Sequence, residues 1–143
     1  MVKCIYCGVP ANALDHIIPV SYTDVSRRAA KYNRENTVPS CNECNSTLSN
    51  KWLPTISERA AFLIEHYNIK YKKFLNPLKI WEDWEIEELS GNMKKLVISN
   101  KNKTILIQER LEHLLKTHSQ QDLLPIDVWN TYPEDMFFKF KCG

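Results

Sequence analysis

Two cysteine pairs with the same spacing, Cys4-x-x-Cys7 and Cys41-x-x-Cys44, bracket an Asp15-His16 dipeptide, and Asn45 directly follows the second pair. Each C-x-x-C hairpin offers two thiolates, and two hairpins supply the four ligands that zinc takes in a closed, tetrahedral, structural site. Asp15 and the Asn45 side-chain carbonyl are harder, oxygen donors, of the kind that suits magnesium or manganese. With few protein ligands on it, such an ion keeps positions for water and a phosphate oxygen, as phosphodiester hydrolysis requires. An imidazole exchanges protons near neutral pH, so His16 is placed to take a proton from an attacking water. On a regular strand, however, Asp15 and His16 would point to opposite faces, and both reach one site only if the pleat breaks near Pro19.

The elements that must carry these residues are short. Gly8 supplies the tight turn of a zinc knuckle around Ile5-Tyr6-Cys7. Leu14 to Val20 reads as a strand that Pro19 ends or irregularises, and Asn36-Thr37-Val38-Pro39 as a second. Thr23 or Asp24 can cap one or two helical turns through residues 26–31, and a helix is expected to begin around Asn42 to Asn45. Closing the loop from residue 7 to residue 41 with zinc gives this small core the staple it needs.

Beyond Pro54, Thr55 or Ser57 can N-cap a helix reaching about Leu75. Its apolar residues Ala60, Leu63, Ile64, Tyr67, Tyr71, Phe74 and Leu75 recur at helical spacing. Arg59, His66, Lys70 and Lys73 fall off that face as a basic stripe. Trp81 to Leu89 is an acidic amphipathic helix stopped by Ser90-Gly91. Residues 93–98 and 105–115 are helical in pattern, with one helix or two left open by the polar stretch between them. The aromatic tail, Leu123 to Phe140, packs back on the helices or onto a second chain.

The quoted elements resemble the HNH endonucleases, and they do so in that family's order: Cys4-x-x-Cys7, Leu14-Asp15-His16-Ile17-Ile18-Pro19, Glu35-Asn36-Thr37-Val38-Pro39 and Cys41-x-x-Cys44-Asn45. The resemblance covers roughly residues 1–50. It implies a ββα-metal fold framed by zinc knuckles and single-metal hydrolysis. In this reading His16 is the general base, Asp15 and Asn45 are ligands of the catalytic divalent ion, and Asn36 is the middle asparagine that fixes the loop carrying the base. Leu48 stands where many members carry a lysine. In that feature the chain looks more like the recombination endonuclease VII branch, which cuts branched DNA, although that branch usually lacks an element like Glu35-Asn36.

Composition is ordinary for a folded soluble protein. The 143-residue chain carries a net charge of +2, with 43% hydrophobic and 25% charged residues. Residues 1–79 hold eleven basic against six acidic side chains, whereas the remainder reverses the balance, eight against eleven. The basic excess therefore falls in the half with the metal ligands. Arg27, Arg28, Lys31 and Arg34, between the two strands, are the expected grips on backbone phosphates, and Tyr22 and Tyr32 could stack on an unpaired base. No apolar run can span a bilayer and no targeting pattern opens the chain; the expected compartment is the cytoplasm, with the cysteines reduced. Cys142 is a spare thiol.

These observations predict an α+β protein: a zinc-stapled nuclease core over residues 1–53 and a mainly helical extension over 54–143. The expected activity is nicking or structure-selective cleavage of double-stranded or branched DNA, with RNA left open. The tail and the Trp81/Trp84 helix offer surfaces for a homodimer. Phage or mobile-element origin is an expectation of the resemblance alone. Two other classes compete: a non-catalytic zinc-knuckle protein that binds nucleic acid, and an adaptor whose helical half docks a larger machine.

Overall fold

The computed structural model describes residues 1–18, 33–49, 51–76 and 80–141. At its centre β1 (Ala13–His16) pairs antiparallel with β2 (Thr37–Ser40), with Asp15 opposite Val38 and His16 opposite Thr37. β1 ends at His16, short of the strand expected from Leu14 onward, whereas β2 has the expected four residues, shifted by one. The knuckle docks on the same sheet, Ile5 N–H donating to the Pro39 carbonyl at 3.0 Å. All four β2 residues are buried.

Helix α1 (Asn42–Leu48) begins on a candidate ligand: Cys41 is its N-cap, and its Sγ accepts from Cys44 N–H at 3.4 Å. Strand, strand and helix thus form the expected ββα arrangement, with the four cysteines gathered in it. The rest is mainly helical.

Thr55 caps α2 (Ile56–Lys70), its hydroxyl accepting from Glu58 N–H at 3.0 Å. The helix expected to reach Leu75 breaks at Tyr71, and α3 (Lys72–Leu75) resumes it. Helix α4 (Asp83–Glu88) is capped reciprocally by Glu82 and Glu85. Residues Gly91–Ser119 form one continuous helix, α5, with Ser90 as N-cap. Ser90-Gly91 therefore starts one helix as well as stopping another. The polar stretch 99–104 does not split α5, because most of its side chains face solvent.

The tail folds into α6 (Pro125–Asn130) and α7 (Glu134–Lys141) and packs back onto the sheet. Trp129 Nε1 donates to the Thr37 carbonyl at 2.8 Å, and its ring meets Phe137 edge-on at 5.0 Å.

One contiguous buried cluster runs from Tyr6 and Val38 in the N-terminal segment through Ala60 and Leu63 of α2 to Leu114 of α5 and Val128 of α6. The helices are thus not a loose appendage. Thr117 donates to the Ile5 carbonyl at 2.8 Å and His113 Nδ1 lies 3.0 Å from the Tyr6 carbonyl, so the C-terminal turns of α5 hold the knuckle backbone. Gly8, at φ +81°, makes the knuckle turn in the left-handed region.

Candidate functional site

The four cysteine sulfurs lie within 4.8 Å of one another, and all four residues are buried. Cys7 Sγ and Cys41 Sγ are 3.7 Å apart. A tetrahedral zinc with bonds of about 2.3 Å spaces its sulfurs at about 3.8 Å, so the cluster could bind a metal such as zinc. Among the described residues it is the one group of three or more His, Cys, Asp or Glu side chains that could hold an ion.

Four thiolates this close repel unless a dication joins them. Their protons are accordingly redistributed. Hydrogen bonding with Cys4 pulls the Cys7 and Cys41 thiols down, whereas hydrogen bonding with Cys41 pushes Cys4 up and hydrogen bonding with Cys4 pushes Cys44 up. Zinc with four thiolates keeps two negative charges, and the surroundings answer them. Burial works against the Arg110 charge, but the adjacent Cys7 sulfur and Glu43 raise its pKa well above the ordinary value. Arg110 bonds the Glu43 carboxylate at 2.5 Å and lies over the Tyr67 ring at 4.9 Å. Tyr67 Oη sits 3.1 Å from Cys44 Sγ. Such outer partners fix ligand orientation. Nothing in the spacing of the cysteines points to Arg110.

The oxygen site differs from the expectation. Asp15 is 1% exposed and faces inward, whereas its neighbour His16 is half-buried on the other side of the strand. Both Asp15 oxygens are held by Arg59, Nη2 to Oδ1 at 2.8 Å and Nε to Oδ2 at 2.9 Å, and Tyr6 Oη donates to Oδ2 as well. Burial pushes the Asp15 carboxyl up against the pull of the guanidinium. Asp15, expected to share a divalent ion with Asn45, thus has both carboxylate oxygens engaged by Arg59. A dication there would meet a buried guanidinium, and the pleat is not broken to bring Asp15 round to His16.

Asn36 lies beside the two residues that follow His16. Its side chain accepts from Ile18 N–H at 2.8 Å and donates to the Ile18 carbonyl at 2.9 Å, and its own carbonyl accepts from Ile17 N–H at 2.9 Å. Three bonds thus fix the two residues after His16. Asn45 is half-buried on α1, which packs against β1.

Of the expected phosphate grips, Arg27, Arg28 and Lys31 lie outside the described residues, as do Tyr22, Tyr32, the turn expected over residues 26–31 and Cys142. Arg34 is described and partly exposed. It stacks on Phe137 and Phe138 at 5.0 and 5.4 Å and bonds the Glu134 carbonyl at 3.4 Å. The basic stripe also dissolves: Arg59 is fully buried, His66 stacks on Phe62, Lys70 pairs with Glu43 at 2.8 Å and Lys73 lies over Phe74. Among the described residues no helix is long and apolar enough to cross a membrane.

No curated protein and no solved structure matches the chain. The model of the family described as HNH endonuclease matches residues 4–51. The match runs from the first cysteine of the cluster to just past α1, about a third of the chain, and its cysteine-rich region fits a zinc-binding form of that domain.

Proposed function

We propose that the chain is a DNA endonuclease of the HNH type, with His16 as general base. What carries the reading is the Asn36 clamp on the residues that follow His16, within a segment that matches the family. His16 takes a proton from water as the water oxygen bonds to phosphorus, and the bond to the 3′ oxygen breaks as that oxygen takes a proton from solvent. Asn45, on the helix packed against β1, is proposed to contact the phosphate through its amide. Zinc in the four-cysteine site is structural, since four thiolates leave it no open position. The magnesium or manganese ion expected between Asp15 and Asn45 does not fit beside Arg59, and no step is assigned to it.

One active site per chain makes a nick the natural product, and a double-strand cut needs a second copy or a second event. Arg27, Arg28 and Lys31 remain the proposed phosphate contacts, which would make binding fall steeply with salt. The test is nicking of supercoiled plasmid in magnesium or manganese by wild type and His16→Ala, repeated on linear, single-stranded and four-way-junction DNA. Loss of a general base should cost at least about 100-fold. Wild-type binding without nicking favours the non-catalytic reading. Equal nicking by His16→Ala removes that residue from the chemistry.

A further inference from the structure

Arg59 grips both residues that flank His16. Beyond its two bonds to the Asp15 carboxylate, its Nη1 donates to the Ile17 carbonyl at 3.2 Å and to the Leu53 carbonyl at 3.1 Å. Its Nε also reaches Tyr6 Oη at 3.1 Å. Asp15 and Ile17 share the face of the strand opposite to His16. One fully buried side chain therefore holds the side chain of the residue before the imidazole and the backbone of the residue after it. Asn36 pins the following residue from the other direction.

Stability alone is a weak reason for this pair. Apolar side chains of similar volume often replace a buried ion pair without loss. What apolar groups cannot do is orient three acceptors around residue 16. A lysine cannot do so either, because its ammonium is a single point where the guanidinium is a fork.

We propose that Arg59 is the positioning residue that aims His16, with Asp15 serving as its counter-ion and not as a cation ligand. The inference rests on His16 as general base, and its test separates the two ideas. The full chain is compared as wild type, Arg59→Lys and Leu63→Ala, the last removing buried packing from the same helix but none of these bonds.

The His16 imidazole resonances, assigned with His16→Ala, should move in Arg59→Lys and hold in Leu63→Ala. In the nicking assay Arg59→Lys should lose at least tenfold in kcat with KM within about threefold, and Leu63→Ala should keep the wild-type kcat. An unmoved His16 spectrum in Arg59→Lys, or equal kcat losses in the two variants, overturns the proposal. A wild type that does not nick removes the base assignment, while the spectrum still decides whether Arg59 aims the ring.

Manganese titration read by water-proton relaxation should give the same curve for Asp15→Asn as for wild type; tenfold weaker binding in the variant overturns the counter-ion assignment. If Arg59→Lys does not fold, Asp15→Leu/Arg59→Met replaces the pair with apolar volume. Folded protein with displaced His16 resonances supports the inference, and folded protein with a wild-type His16 spectrum sinks it.

Discussion

Replacing Gly8 by alanine measures how tightly α5 holds the knuckle. At φ +81° a side chain is strained whatever the space around it, at a cost of about 1–2 kcal/mol. The space is also taken. A Cβ at Gly8 would stand 2.7 Å from Cδ2 and 3.0 Å from Cγ of His113. That ring is tethered by its Nδ1 to the Tyr6 carbonyl, so stepping aside gives up a hydrogen bond of about 1 kcal/mol. Together the terms predict a loss of about 2–4 kcal/mol, a large fraction of a small protein's stability.

The assay is urea unfolding in zinc-containing buffer for Gly8→Ala, His113→Ala and the double variant. Removing the ring frees the space, so the glycine substitution should then cost only its backbone share, leaving a coupling of about 1–2 kcal/mol. Additive costs would refute the contact. A Gly8→Ala cost below about 0.5 kcal/mol would refute the backbone argument with it.

Three further outcomes are expected. Purified protein should carry one zinc per chain, and a strong chelator should unfold the N-terminal core, because binding and folding of such sites are one equilibrium; an unchanged melt after complete zinc removal contradicts the structural role. Burial works against the Glu43 charge, but Lys70, Tyr71 and Arg110 hold its carboxyl at about 2, below the ordinary 4.5. A lowered carboxyl contributes stability that is complete above 4.5 and lost as pH falls toward 2. Glu43→Gln should therefore be about 1–2 kcal/mol weaker at pH 6, allowing for partial exposure, with the gap closing below about pH 3; a constant gap argues against the assignment. Trp129→Phe leaves the buried Thr37 carbonyl without its donor and should cost about 1–3 kcal/mol in urea, whereas an unchanged midpoint would mean the tail adds nothing to β2.

Much of this architecture is legible before any coordinates. Cysteine spacing announces the sulfur cluster, because two hairpins with equal gaps converge on one ion. Thr55 announces the start of α2, because a hydroxyl before a helical pattern has an N–H to satisfy. The pleat rule already sets Asp15 against His16 as partners in one site, and the strand obeys it.

Arg59 is where the reading fails. Helical periodicity shows which residues are apolar, and a charged residue off that face looks solvated. Only its meeting with Asp15, 44 positions earlier in the chain, makes burial affordable, and neither position alone signals the other. Arg34's partners in the fold are equally illegible from sequence: they are aromatic rings about a hundred residues later.

The knuckle's backbone partners lie 107 and 112 residues downstream, on the last turns of α5. At about 5–20 residues per second, a ribosome takes on the order of 5–20 s to span that interval. Throughout it the thiols have already emerged and can load metal, while the grip from α5 does not yet exist. The knuckle is thus translated well before the helix that completes it.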